Sequence, residues 1–230
     1  MSILSSDPIT QLAFSMFESK GVYALLLGSG LSRAAGIPTG WEITLDLVRR
    51  VALAQGVKNQ SDWATWYRKT YGAEPDYSAI LAGLAASPAE RRSILHSYIE
   101  PDEDDRAEGK KLPTAAHHAI AGLVRAGYVR VILTTNFDRL LETALREVGV
   151  EPPVVTSADS LSGAEPLTHS PCYVLKLHGD YKDARILNTD EELGVYPPQY
   201  DALLDRILDE HGLIVFCCST YCDDAQRPAW

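Results

Sequence analysis

Among its 230 residues this sequence has no Cys-x-x-Cys pair, no apolar run long enough to span a bilayer and no excess of basic charge. Its four cysteines are Cys172, Cys217, Cys218 and Cys222. They lack the paired, close spacing of structural zinc ligands, so they read as reduced thiols and no metal site is expected. The longest apolar run, Leu213 to Cys218, has the length of a buried strand. The N-terminal Met1-Ser2-Ile3-Leu4 has no basic-then-apolar order, so no secretory leader is expected and the protein is placed in the cytoplasm. With 21 Lys and Arg against 31 Asp and Glu, the net charge is −10 and no basic cluster stands out. That balance argues against direct nucleic-acid binding. Internal repeats and low-complexity segments are also missing.

What is present is an alternation of short apolar runs and amphipathic stretches. Val22 to Leu27, Val129 to Leu133, Tyr173 to Leu177 and Leu213 to Cys218 read as buried strands. Helical spacing follows Pro113-Thr114 (Ala116, Ile120, Leu123, Val124), then Phe137 to Val148, then Tyr200 to Leu208. Thr189 and Glu192 fit a capping box. Strands alternating with helices predict an α/β fold, a mostly parallel sheet with helices on both faces. The stretch from about 41 to 112 shows helical spacing and no strand. It is read as a helical insertion within one domain spanning 1–230. Its Trp63, Trp66, Tyr67 and Tyr71 are assigned to a core, and the acidic Glu100 to Glu108 to a solvated loop.

Ligands of parallel sheets sit beyond the carboxyl ends of the strands. Three polar clusters fall there: Gly28-Ser29-Gly30-Leu31-Ser32, Thr134-Thr135-Asn136-Phe137-Asp138 and His178-Gly179-Asp180. The first is neither G-x-G-x-x-G, since Arg33 stands at the third glycine, nor a P-loop. Its glycines still admit a pyrophosphate, with Ser29 and Ser32 as hydroxyl donors and helical N–H groups beyond. In the second, Asn136 suits ribose hydroxyls and Asp138 a carboxamide NH₂; either residue is equally suited to cap the next helix. In the third, His178 suits a general base near neutral pH. His96, His117, His118, His169 and His211 are read as packing or surface residues.

In this order the clusters resemble the sirtuin family. Its Gly-Ala-Gly-x-Ser and Gly-Ile-Pro are similar to Gly28-Ser29-Gly30-Leu31-Ser32 and Gly36-Ile37-Pro38. Its Pro-Thr-x-x-His matches Pro113, Thr114 and His117. Thr-Gln-Asn-Ile-Asp resembles Thr134-Thr135-Asn136-Phe137-Asp138, and Leu-His-Gly matches Leu177-His178-Gly179. The resemblance implies a Rossmann-like sheet with NAD as substrate. It implies that Gly28, Ser29, Gly30 and Ser32 line the phosphates and ribose, with Thr135 and Ser219 also at the cofactor. Asn136 would hold the ribose or a water, Asp138 the carboxamide, and His178 would be the catalytic base.

Departures from the pattern narrow this expectation. Gly36-Ile37-Pro38 continues as Thr39-Gly40-Trp41, not Asp-Phe-Arg, and no cysteine lies between His178 and Leu213 where deacetylases carry a four-cysteine zinc module. The pattern is more similar to zinc-free sirtuin-like domains of bacterial anti-phage systems, which degrade NAD when a sensor module is triggered. The leading expectation is therefore NAD⁺ glycohydrolysis, with a sensor protein or domain as partner and homo-oligomers allowed. The rivals are an NAD or ADP-ribose binding module without catalysis, a protein deacylase, and a structural or regulatory half of a defence complex that binds no nucleotide. Cys217-Cys218-Ser219-Thr220 stands where the family has Gly then Ser or Thr, and the sequence stops at Trp230. A shortened C-terminus, with part of the adenosine pocket outside the chain, is expected from that.

Overall fold

A computed structural model describes residues 7–183 and 196–216. Its centre is a five-stranded sheet, all parallel, built from β1 (Tyr23–Leu27), β2 (Val129–Thr134), β3 (Val154–Val155), β4 (Tyr173–Lys176) and β5 (Gly212–Phe216) in the spatial order β3-β4-β2-β1-β5. The α/β reading and the mostly parallel sheet are borne out. The strands agree with their apolar runs to within a residue at most ends: β1 begins one residue later, β2 runs on through Thr134, β4 stops one residue earlier and β5 begins one residue earlier, at Gly212. Cys217 and Cys218 of the last run lie outside the described residues.

The order of strands dictates where the helices go. From β1 to β2 to β3 the chain moves toward one edge; from β3 to β4 to β5 it moves back toward the other. Right-handed crossovers therefore place the two sets of helices on opposite faces. One face packs α8 (Ala115–Arg125) and α9 (Leu140–Glu147) on Leu25, Leu27, Ile132 and Val174. The other packs α10 (Ala158–Gly163) and α11 (Pro198–Glu210) on Ala24, Val131, Leu133, Tyr173 and Leu175. Val129 and Ile132 share a face although they are three residues apart. A register shift opposite Tyr23/Ala24 inserts the extra residue and resets the alternation.

Between β1 and α8 the chain forms six helices and no strand: α2 (Gly30–Arg33), α3 (Gly40–Ala54), α4 (Trp63–Tyr71), α5 (Tyr77–Leu84), α6 (Pro88–Ile99) and α7 (Glu103–Ala107). They enclose a second apolar cluster of Ile43, Leu47, Val48, Leu81 and Leu95, with Trp63, Trp66 and Tyr67 packed on it. Tyr71 is largely exposed, so the aromatic stripe is core for three of its four members. Glu103–Ala107 is a helix where a loop was expected. Asp102 accepts from the Asp105 N–H and Asp105 accepts in return from the Asp102 N–H, which closes a capping box on an acidic turn. Three further elements were not foreseen: α1 (Pro8–Glu18), capped by Asp7; β3, whose two residues are too few to show periodicity; and α10, a helix of six residues capped by Ser157. The Thr189/Glu192 box lies outside the described residues. Among the described residues no helix is long and apolar enough to cross a membrane.

Candidate active site

The connections leaving neighbouring strands β2 and β4 pack their helices on opposite faces of the sheet, which makes this the switch point where parallel sheets form a crevice at the carboxyl ends of the strands. The second and third polar clusters flank that crevice, and the first follows β1 next door. The ends are stitched together: the Leu177 N–H donates to the Thr134 carbonyl (2.8 Å) and the Thr135 N–H to the Leu27 carbonyl (3.1 Å). The Thr134 hydroxyl donates to the same Leu27 carbonyl (3.1 Å) and accepts from the Asn136 N–H (3.1 Å). Gly179, at φ +85°, makes the turn after β4 in the left-handed region that favours glycine.

Ser32, Asn136 and Asp138 meet. The Ser32 hydroxyl donates to Asp138 Oδ2 (2.8 Å) and accepts from Asn136 Nδ2 (3.4 Å). All three side chains are buried. His117 joins them from α8, wholly buried, with Nε2 3.5 Å from the Ser32 hydroxyl. The Thr114 N–H donates to His117 Nδ1 (3.1 Å), which leaves the ring proton on Nε2, facing Ser32. Burial holds the His117 pKa below the ordinary imidazole value, with the nearby Asp138 charge opposing. The neutral ring is therefore the form present at pH 7. A directed chain results, from the Thr114 N–H through His117 and Ser32 to Asp138.

Asp138 also accepts from the Leu140 N–H at the start of α9 (3.0 Å). It thereby satisfies one free N–H of the helix from the position before the cap residue, Arg139, while presenting its second oxygen to Ser32. Asn136 does not cap a helix. Its Oδ1 is buried with no hydrogen-bond partner among the described residues. Buried carbonyl oxygens are seldom left so, and the explanations for one are local strain, a functional role, or a bound water or ion.

Gly28, Ser29 and Gly30 lie at the end of β1 as expected. The Gly28 N–H donates to the Phe216 carbonyl of β5 (2.9 Å), and Ser29 precedes α2 in helical backbone geometry without a side-chain capping bond. That helix is a single turn, so the expected row of helical N–H groups is short. Gly30 and Leu31 line a cleft of about 910 Å³ together with Arg33, Lys110, Thr114 and Phe216. Asn136 and His178 do not line that cleft. Thr135 turns its hydroxyl toward the Leu27 carbonyl (3.5 Å). Ser219 lies outside the described residues.

His178 is partly buried and packs against the Phe137 ring, with centroids 6.1 Å apart. Burial alone pulls its pKa down to about 4. It is thus neutral and proton-accepting at pH 7. Beneath it lies a charged cluster that sequence reasoning missed. Lys176, only 1% exposed, donates to Asp180 Oδ2 (2.9 Å) and Glu142 Oε1 (3.1 Å), and Arg139 Nε donates to the same Asp180 oxygen (2.8 Å). Burial would raise the Asp180 pKa, but the Lys176 charge, Arg139 and the Lys182 N–H outweigh it and the carboxyl is held low. For Glu142 burial prevails over Lys176 and the carboxyl is pushed up. The signal in the sequence was a lysine inside an apolar strand; for His117 it was the Pro-Thr-x-x-His spacing. Among the described residues no group of three or more His, Cys, Asp or Glu side chains is placed to hold a metal ion.

Residues 130–225 match the family profile described as a SIR2-like domain. An NAD-dependent protein deacetylase of Haloarcula marismortui is 29% identical over 119 residues, which is 52% of this chain and 35% of that protein. The chain therefore matches about a third of the length of that relative.

Proposed function

We propose that this chain, a sirtuin-like protein, binds NAD⁺ and hydrolyses its nicotinamide–ribose bond. The observation that carries the reading is the meeting of Ser32, Asn136 and Asp138 from two strand ends, with the buried Asn136 Oδ1 left without a partner among the described residues. A partnerless carbonyl oxygen suits a ribose hydroxyl or an attacking water, each of which brings a proton to donate. The glycine turn leaves backbone room for the pyrophosphate, and Asp138 has lone pairs to spare for the carboxamide NH₂.

In the proposed reaction the bond between C1′ of the ribose and the nicotinamide nitrogen breaks, and its electron pair leaves with nicotinamide, which becomes neutral. Water adds its oxygen to C1′ and its proton passes to the neutral His178 imidazole, then to solvent. The products are nicotinamide, ADP-ribose and one proton. The leaving group is already cationic, so the protein needs chiefly to position the ribose and exclude bulk water. A positioned base contributes about 10²–10⁴-fold. His178→Ala and Asn136→Ala are each expected to reduce nicotinamide release by at least about 100-fold, read by chromatography, while melting cooperatively. Wild-type turnover in either variant would defeat the assignment.

Protein deacylation is the second reading, favoured by the printed activity of the haloarchaeal relative. An acyl-lysine peptide assay separates the two, since only deacylation consumes NAD⁺ in step with the peptide. The finer biological reading is an effector of anti-phage defence, held silent until a sensor partner acts. It is tested by whether cells expressing the chain with its neighbouring genes lose NAD⁺ on infection, and lose it no longer with His178→Ala.

A further inference from the structure

We propose that Lys176 is a positioning residue, whose buried ammonium holds the loop carrying Asn136 and the loop carrying His178 at one fixed separation. The functional consequence rests on the NAD-cleaving reading; the brace itself does not.

Lysine is almost never fully buried unless it is paired. Lys176 is the last residue of β4, between Leu175 and Leu177, and 1% exposed. Its ammonium has three protons and four oxygens around it. Two are backbone carbonyls of the β2 loop directly after Asn136, those of Phe137 (3.2 Å) and Asp138 (2.5 Å). The third is Asp180 Oδ2 (2.9 Å), two residues after His178, and the fourth is Glu142 Oε1 (3.1 Å) on α9. One atom therefore touches both loops of the crevice and the helix behind them. The Tyr181 N–H adds a parallel tie to the Phe137 carbonyl (3.1 Å), and the Phe137 ring in turn packs on His178.

The core alone does not call for this cation. A methionine has a similar length, and an apolar pair in place of a buried ion pair is commonly neutral or stabilising. What no apolar side chain can do is donate to the Phe137 and Asp138 carbonyls. These two carbonyls lie on either side of the Asp138 Cα, and the residue before them is Asn136.

The test uses the whole chain. Lys176→Met combined with Glu142→Leu removes the pair together, so no carboxylate is stranded; Asp180 keeps Arg139. This double variant is expected to melt cooperatively within a few degrees of wild type. Its nicotinamide release should fall about 100-fold in kcat, with the KM for NAD⁺ changed by less than about threefold. By hydrogen exchange, the Leu140 and Tyr181 amides should exchange at least about tenfold faster. Glu142→Gln, which keeps an acceptor for Lys176 and leaves both carbonyl contacts, should stay within about threefold of wild type in both readouts. Wild-type exchange at these amides overturns the brace, as does wild-type turnover in the double variant. A double variant that does not melt cooperatively also overturns it, because the lysine would then be a requirement of the sheet. Loss of turnover in Glu142→Gln equal to that in the double variant does the same. Should the wild-type chain release no nicotinamide, the NAD-cleaving reading falls and the exchange measurement alone decides on Lys176.

Discussion

At the scale of single residues, two histidines stand out, each neutral at pH 7 because it is buried. His117 is enclosed by its own hydrogen-bond chain, while His178 has burial and an aromatic neighbour. With its pKa near 4, His178 should give a pH profile of kcat/KM whose acid limb is centred well below 6. An acid limb centred near 6.5, the ordinary imidazole value, would show that another group is the base or that the ring is solvated. The same depression bears on stability. Between about 6.5 and 4 the unfolded chain binds a proton that the folded chain refuses, so stability should fall as pH falls through that window and level off below it. Ser32 offers a second check. Ser32→Ala leaves Asp138 Oδ2 without its donor and the His117 Nε2–H without an acceptor. It should therefore cost about 1–3 kcal/mol in denaturant melts, besides weakening turnover. A variant as stable as wild type would mean that water replaces the hydroxyl.

At the scale of elements, the strand ends matter more than the strands. β1, β2 and β4 each pass from buried apolar residues into a polar turn within one or two positions, and that abrupt change made the three clusters visible without coordinates. β5 joins β1 at Gly212, where an added Cβ would lie 2.8 Å from the Tyr23 ring. That ring is tied by its hydroxyl to Ser15 on α1 (2.9 Å). Gly212→Ala should accordingly destabilise the fold by about 1–3 kcal/mol as the ring is displaced, measured by thermal or chemical denaturation. An unchanged midpoint would show that Tyr23 swings away freely. The short elements were the hard ones to read. β3 has two residues directly after Pro152 and Pro153, and α7 is five residues whose stability comes from carboxylates capping N–H groups, with no apolar stripe to announce it.

For the whole molecule, the sheet and the helices between β1 and α8 have separate apolar clusters, and the polar site lies where they adjoin. Leu140 and Tyr181 belong to the second cluster, while Leu141 of the same helix belongs to the first. Binding at such a seam should couple to the stability of both. NAD⁺ at 100 times its dissociation constant is expected to add about 2.7 kcal/mol, seen as a melting rise of several degrees. No shift at millimolar NAD⁺ would count against any nucleotide reading, catalytic or not.

The linear order of residues was enough for the parallel α/β architecture and for placing the three polar clusters after buried strands, because strand periodicity and polar strand ends are local properties that survive in any parallel sheet. It was enough, too, for the resemblance on which the NAD expectation stands. It was not enough for His117 or Lys176. Part of what encloses them comes from residues 85 and 34 to 39 positions away, and the local signals, a Pro-Thr-x-x-His spacing and a lysine in an apolar strand, do not show what closes over either side chain. Whether a charged side chain is solvated or walled in depends on which elements close over it, and that was decided only when α8 and α9 packed onto one face of the sheet.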